Sequence, residues 1–254
     1  MDTAPSRADL PPVKQHALVV GASSGIGAAL VRELVRRGYR VAAVARREAE
    51  LARLAAEFPP GRVLVRAHDV HDCEQAPVLF EALVRELGGL DLLVYASGIM
   101  PPVAPDEFDT AKDREILLVN TLGAIAWCNP AAEYFRSKRS GTICGLSSIA
   151  GDRGRKGNPV YGASKAALSH YLEALRNRLD DFGVHVCTIK PGPVATPMTA
   201  ALGELPGMVS ADSVARTIAS VVTRAQTRYV PLKWLGVSLV IRAIPSFIFR
   251  RITI

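Results

Sequence analysis

Cysteine is scarce, and the four present, Cys73, Cys128, Cys144 and Cys187, are scattered along the chain. No two have metal-ligand or redox spacing, so reduced thiols in a cytoplasmic protein are expected. Histidine offers no metal site either. His68 and His71 lack a third ligand at metal spacing and read as exposed loop residues. The first seven residues carry no apolar run after their charge, so no secretory leader is expected. The apolar end of the chain is interrupted by Lys233, Arg242 and Pro245, which leaves no clean run of about 20 residues for a membrane span. Acidic residues are outnumbered, 24 against 31 Lys and Arg, for a net charge of +7. That balance favours an anionic partner: a phosphorylated cofactor, an anionic lipid surface or nucleic acid. No nucleic-acid motif is present, so nucleic acid is not expected as a partner.

What is there is enough for one large core. The chain has 254 residues, 49% of them hydrophobic. After a polar tail at 1–13, the apolar run 16–20 reads as a buried strand. It feeds Gly21-Ala22-Ser23-Ser24-Gly25-Ile26-Gly27 and then a helical pattern to Arg37, closed by Gly38. Strand, glycine loop and helix together suit a dinucleotide. Glycines let the backbone approach a pyrophosphate, and the helix start offers free N–H groups and a positive dipole end. The next strand, 39–45, ends in Arg46-Arg47, where a carboxylate would otherwise accept ribose hydroxyls. Guanidinium there grips a 2′-phosphate, so NADP(H) is favoured over NAD(H). A third strand, 62–67, precedes Asp69-Val70, where the carboxylate can bond an adenine amino group. A fourth, 91–96, leads to Ala96-Ser97-Gly98, small enough for a cofactor to lie against the backbone. Strands alternating with helices about every 30 residues are the signature of a doubly wound α/β sheet in a single domain.

The chemistry centres on Tyr161 and Lys165, four apart and therefore on one helix face. The ammonium favours the phenolate, pulling down a pKa ordinarily near ~10, and can reach a cofactor hydroxyl. Ser148, delivered from the strand end at 142–146, can hold a carbonyl oxygen against the phenol. Asn120 is a polar residue in the apolar stretch 116–119 of a helical segment, 112–136. It reads either as a capped or surface asparagine, or as the place where a disturbed turn holds a water linking Lys165 to solvent. Beyond the Tyr161 helix, to about 181, come a sixth strand at 184–190, a glycine- and proline-rich lid at 198–209, a helix to about 223 capped by Ser210 or Asp212, and a seventh strand at 228–230.

In order, Gly21-x-x-x-Gly25-x-Gly27, Asp69, Tyr95-Ala96-Ser97-Gly98, Asn120, Ser148, Tyr161-x-x-x-Lys165, Pro191-Gly192 and Thr196 resemble the landmarks of the short-chain dehydrogenase/reductases over residues 14–230. The resemblance implies a Rossmann fold with a seven-stranded parallel sheet and a homo-oligomer formed through helices 112–136 and 161–181. It implies Tyr161 as general acid/base, Lys165 as ribose anchor, Ser148 as the carbonyl-orienting donor and Asn120 as a proton-relay member. Pro191, Gly192, Val194 and Thr196 would close over the nicotinamide side. Two positions depart from the family pattern: Val20 replaces a threonine, and Tyr95-Ala96-Ser97-Gly98 replaces Asn-Asn-Ala-Gly.

Two features bear on the substrate. The loop Asp152-Arg153-Gly154-Arg155-Lys156-Gly157-Asn158 holds three cations, which read as a solvated loop or as a phosphate clamp formed by Arg153, Arg155 and Lys156. The extension 231–254 combines Trp234, Phe247 and Phe249 with Lys233, Arg242, Arg250 and Arg251, and suits a segment lying on an anionic inner leaflet. The alternative is a helix completing a pocket or an oligomer interface. In both stretches the residue order is similar to that of the decaprenylphosphoryl-2-keto-erythro-pentose reductases, the reducing partners of a flavin oxidase. That similarity implies a polyprenyl-phosphate-linked 2-keto-pentose as substrate. The competing readings are reduction of a lipophilic ketone (a 3-keto-sphingoid base, a 3-ketoacyl chain or a steroid) and a non-catalytic dinucleotide-binding sensor or scaffold.

Overall fold

A computed structural model describes residues 10–252. Seven short apolar runs become strands: β1 (Gln15–Val20), β2 (Tyr39–Ala45), β3 (Val63–Ala67), β4 (Leu92–Tyr95), β5 (Gly141–Leu146), β6 (Val184–Pro191) and, after a two-residue pair β7 (Val194–Ala195) and β8 (Val209–Ser210), β9 (Gln226–Val230). They form one parallel sheet in the order β3-β2-β1-β4-β5-β6-β9. Alternate residues point to opposite faces, and both faces are covered, which is why the strands read as near-continuous apolar runs.

On one face Ala17, Val19, Val41 and Ala43 pack beneath α1 (Gly25–Arg36), α2 (Glu48–Ala56) and α7 (Ala211–Val221). On the other, Leu18, Val20, Ala42 and Val44 share a core with α3 (Gln75–Leu87), α5 (Gly123–Lys138) and α6 (Pro159–Leu179). Strand order reverses between β1 and β4, so a crevice opens beyond their carboxyl ends, where both cores stop.

The expected helix 112–136 is divided. Helix α4 (Thr110–Leu117) begins at Asp109, whose carboxylate caps the amides of Ala111 and Lys112. A π-helical turn, Leu118–Leu122, follows before α5 resumes the α-helical spacing. Helix α6 starts at Pro159 because Asn158, at φ 49°, turns the chain and accepts a bond from the Tyr161 amide. Tyr161 therefore sits in the first turn, just past the end of β5.

Of the expected tail 1–13, residues 1–9 lie outside those described. The next few are packed: the Pro11 carbonyl accepts from Arg62, and the Lys14 amide donates to Gly38. At the other end α8 (Lys233–Ala243) and α9 (Ser246–Phe249) fold back beside β9 and the 152–158 loop; Thr253 and Ile254 lie outside the described residues. Among the described residues no helix is long and apolar enough to cross a membrane.

Candidate active site

The glycine loop is shaped by contacts that admit no side chain. A Cβ on Gly21, at φ 91°, would stand 2.4 Å from the Ser97 amide nitrogen, and one on Gly27 would stand 2.1 Å from the Gly21 carbonyl oxygen. The loop is tied to β2 by bonds from the Gly21 and Ala22 amides to the Val44 carbonyl. Helix α1 then starts at Gly25 with no acidic residue in its first turn, and the Ser24 side chain makes no capping bond. Its first amides, left without intrahelical partners, border a cleft of about 210 Å³ whose wall includes Ser23, Ser24, Gly25, Ile26 and Gly27. Across the cleft stand Val70, Ala96, Ser97, Gly98 and Thr196. This bare, donor-rich cradle fits the pyrophosphate of a dinucleotide.

Arg46 and Arg47 stand at its rim. Arg47 is folded over the loop, donating to Ser23 Oγ (2.9 Å) and Ser24 Oγ (2.6 Å), while Arg46 lies 3.8 Å from Asp69. Asp69 is also held by the amide (3.1 Å) and ring (2.6 Å) of His71. Burial pushes its carboxyl up, but the His71 bonds outweigh this and leave it below the usual range. His71 bridges on to Glu115 at 2.5 Å; its bond to Asp69 most strongly raises its pKa, so it is not a free loop residue. His68 also departs from expectation. Its amide continues the β3 ladder to Ala45, which turns the ring inward, edge-on to Trp127 at 5.5 Å. Burial lowers its pKa, and it helps wall the cofactor cleft.

A second pocket, about 250 Å³, adjoins the first across Ile26, Ala96, Gly98, Thr196 and Met198. Here Ser148, Tyr161 and Lys165 meet. Ser148 leaves β5 with its hydroxyl capping the Ala150 amide, beside the Tyr161 phenol in the same pocket. Its neighbour Ser147 faces the other way, bonded to the Lys165 carbonyl and Ser169. Pro191, Gly192, Val194 and Thr196 line the far side. The lid adds Met198, Leu202 and Leu205, and its two ends are joined by the β7–β8 pair.

Lys165 is buried, with Nζ donating to the Leu146 carbonyl (2.9 Å) and lying 5.8 Å from the Tyr161 ring centre. Burial pushes its pKa down to about 8. Tyr161 corrects the expectation of a lowered phenol. Burial raises its pKa, and the nearby Ser148 hydroxyl and the Arg155 charge offset this only in part. In this state the ammonium is directed at a carbonyl rather than at the phenol. The phenol is therefore protonated at neutral pH, the state a general acid needs.

Asn120 is fully buried in the π turn, which rules out the surface reading. Its Oδ1 accepts from the Ile99 amide (2.8 Å), and Nδ2 donates to the Ile99 carbonyl and to Ser164 Oγ, both at 3.0 Å. A Cβ on Gly98 would stand 3.3 Å from both Asn120 Oδ1 and Lys165 Nζ, so the two polar groups converge on that glycine. Sequence reasoning did not assign Tyr95 a role here. Its hydroxyl donates to the Val119 carbonyl (2.6 Å), fastening β4 to the turn that carries Asn120. The departure from Asn-Asn-Ala-Gly was the signal.

The three loop cations part company. Arg153 does not face the reaction pocket: its Nη1 donates to the carbonyls of Ile241, Arg242 and Ile244 at the end of α8, and its guanidinium stacks on Phe249 at 4.3 Å. Helix-end carbonyls attract a cation, and these hold it. Arg155 does line the reaction pocket, whereas Lys156 lines a neighbouring cavity. Asp152, between Gly151 and Arg153, is buried against Lys190, Ser238 (2.6 Å) and Tyr229 (3.1 Å).

Bound nicotinamide supplies or accepts hydride at a substrate carbon. Ser148 can then donate to the carbonyl oxygen, and Tyr161 can deliver its proton to the oxygen as negative charge grows there. Lys165 contributes as a cation, so kcat/KM for the nicotinamide cofactor is expected to fall as pH rises through about 8, with a one-proton slope. A profile flat to pH 10 would contradict this. For stability the sign is opposite: between about 8 and 10.5 the unfolded chain binds more protons at Lys165 than the folded one, so this residue's contribution rises with pH.

The sequence matches the family described as short chain dehydrogenase over residues 15–206. It is 38% identical over 187 residues to an uncharacterized oxidoreductase of Myxococcus xanthus, covering 72% of this chain and 74% of that one. It is 34% identical over 186 residues to the 3-oxoacyl-[acyl-carrier-protein] reductase of Bos taurus, covering 73% and 78%. The crystal structure of an actinorhodin polyketide ketoreductase with NADPH superposes with a TM-score of 0.77 at 25% identity, over 85% of this chain and 95% of that one. The chain belongs to the short-chain dehydrogenase/reductase family and is an oxidoreductase that uses a nicotinamide dinucleotide.

Proposed function

We propose that this enzyme uses NADPH to reduce the ketone of a polyprenyl-phosphate-linked 2-keto-pentose. The observation that carries the reading is Arg155. It is a cation on the wall of a pocket whose other lining, away from Ser148, Tyr161 and Lys165, is largely apolar: Leu146, Ile149, Val194, Met198, Leu202 and Leu205. An anionic group placed beside the reacting carbonyl meets that cation at the pocket wall. The preference for NADPH rests on Arg46 and Arg47 at the rim of the cofactor cleft, beside Ser23.

The exposed apolar residues of α8 and α9, among them Leu239, Val240, Phe247 and Ile248, lie among Lys233, Arg242, Arg250 and Arg251. That pattern supports contact with the anionic inner leaflet, where a lipid-linked substrate and a partner flavin oxidase would meet the enzyme. A homo-oligomer through the outer faces of α4 to α6 belongs to the same proposal, with Leu117 and Leu122 exposed there.

Arg155→Ala is expected to raise KM for a phosphorylated lipid ketone about tenfold, the loss of one charge-assisted bond, and to change KM for a neutral ketone far less. Equal effects on both would overturn the phosphate reading. The second reading, a neutral lipophilic ketone, is favoured by the apolar lining and by the similarity to the bovine reductase. It leaves Arg155 unexplained.

A further inference from the structure

Beyond Arg155 lies another cavity, of about 500 Å³, between the 153–156 loop and the C-terminal segment. Four cations stand on its wall, Arg153, Arg155, Lys156 and Arg250, and among the described residues no carboxylate does. Arg153 is engaged by the end of α8. The side chains of Arg155, Lys156 and Arg250 have no hydrogen-bond or ion-pair partner among the described residues. Three uncompensated cations around one cavity repel each other, and an anion between them relieves the repulsion. Phe249 and Ile252 supply an apolar side to the same space.

The cavity does not depend on a loose tail. Ser238 of α8 is bonded to the buried Asp152 carboxylate, and Arg153 holds both the last carbonyls of α8 and the ring of Phe249. These contacts bring Arg250, which immediately follows Phe249, against a loop nearly a hundred residues earlier. Arg155 faces both this cavity and the reaction pocket, so the two spaces meet at one side chain.

We propose that Arg155, Lys156 and Arg250 together bind the phosphate ester of a lipid-linked substrate, whose hydrocarbon chain leaves over Phe249 and Ile252. Two guanidinium forks and an ammonium match the several acceptor oxygens of a phosphate, and the apolar side takes the first carbons of the chain. The C-terminal segment is thereby part of the substrate site. The identity of that substrate rests on the reading above; the site itself does not.

The test is calorimetric binding of geranyl phosphate, geraniol and inorganic phosphate to the full chain loaded with NADPH. Geranyl phosphate is expected to bind at least about tenfold more tightly than either other probe. Arg250→Ala and Lys156→Ala, which alter different segments, are each expected to weaken it by about tenfold, with partial recovery in Arg250→Lys. NADPH affinity and turnover of a neutral ketone should be unchanged in both alanine variants. Equal binding of geranyl phosphate by the parent and Arg250→Ala proteins would overturn the site. So would flotation on phosphatidylglycerol vesicles that depends on Arg250 while geranyl phosphate fails to bind, since the cations would then serve a bilayer headgroup. Arg250-dependent binding of geranyl phosphate without turnover of the keto-pentose leaves the site standing and removes that substrate. Turnover of the keto-pentose with KM unchanged in Arg250→Ala does the reverse.

Discussion

Tyr161→Phe is expected to lower turnover by about three powers of ten while cofactor affinity stays unchanged. The phenol lines the reaction pocket beside Ser148 and is protonated at neutral pH. Phenylalanine fills the same space but donates nothing to the developing oxyanion. The glycine loop, Ser97 and Thr196, which border the cofactor cleft, are untouched. Single-turnover kinetics with a saturating ketone, together with fluorescence titration of NADPH, separates the two effects. A comparable loss in NADPH affinity would mean that Tyr161 holds cofactor rather than moving a proton.

The second large effect falls on stability. Asp152→Ala is expected to destabilise the fold by about 3–5 kcal/mol, the range for breaking a buried ion pair from one side. The Asp152 side chain is 3% exposed and its partner Lys190 is 11% exposed. Truncation leaves that ammonium uncompensated and removes the acceptor of Ser238 and Tyr229. Asp152→Asn should fall between the two, because an amide accepts a hydrogen bond but brings no charge. Asp152→Leu combined with Lys190→Met should recover the part of the loss that comes from the uncompensated ammonium, while Ser238 and Tyr229 still lack their acceptor. Urea unfolding reads all four proteins, and a loss below about 1 kcal/mol in Asp152→Ala would place the pair outside the stability core.

The sheet was readable because parallel strands covered on both faces must be apolar throughout, and residues 16–20 or 39–45 show that plainly. The catalytic pair was readable because four-residue spacing places Tyr161 and Lys165 on one helix face whatever surrounds them. Other features depend on contacts that spacing does not encode. Asn120 between Val119 and Thr121 marks a place where a turn could be disturbed, but the π hydrogen bonding of Leu118 to Leu122 is not encoded by spacing. Arg153, Arg155 and Lys156 are equivalent as letters, yet one caps a helix formed 88 to 91 residues later and another faces the reaction pocket. His68 is turned inward by one additional ladder bond. The direction of the Tyr161 shift follows from burial, which outweighs the nearby cation in this state. The tail's charge pattern suggested a surface segment; its attachment through Asp152 and Arg153 is a long-range polar match with no periodic signal.

The proposed reduction of a ketone on a phosphorylated lipid-linked sugar is read by following NADPH and NADH oxidation by the purified protein, with a polyprenyl-phosphate 2-keto-pentose generated in situ by a flavin oxidase. Stoichiometric reduction of the keto group is expected, with NADPH the more efficient donor. Protein that binds NADPH yet consumes neither nucleotide with this substrate would contradict it.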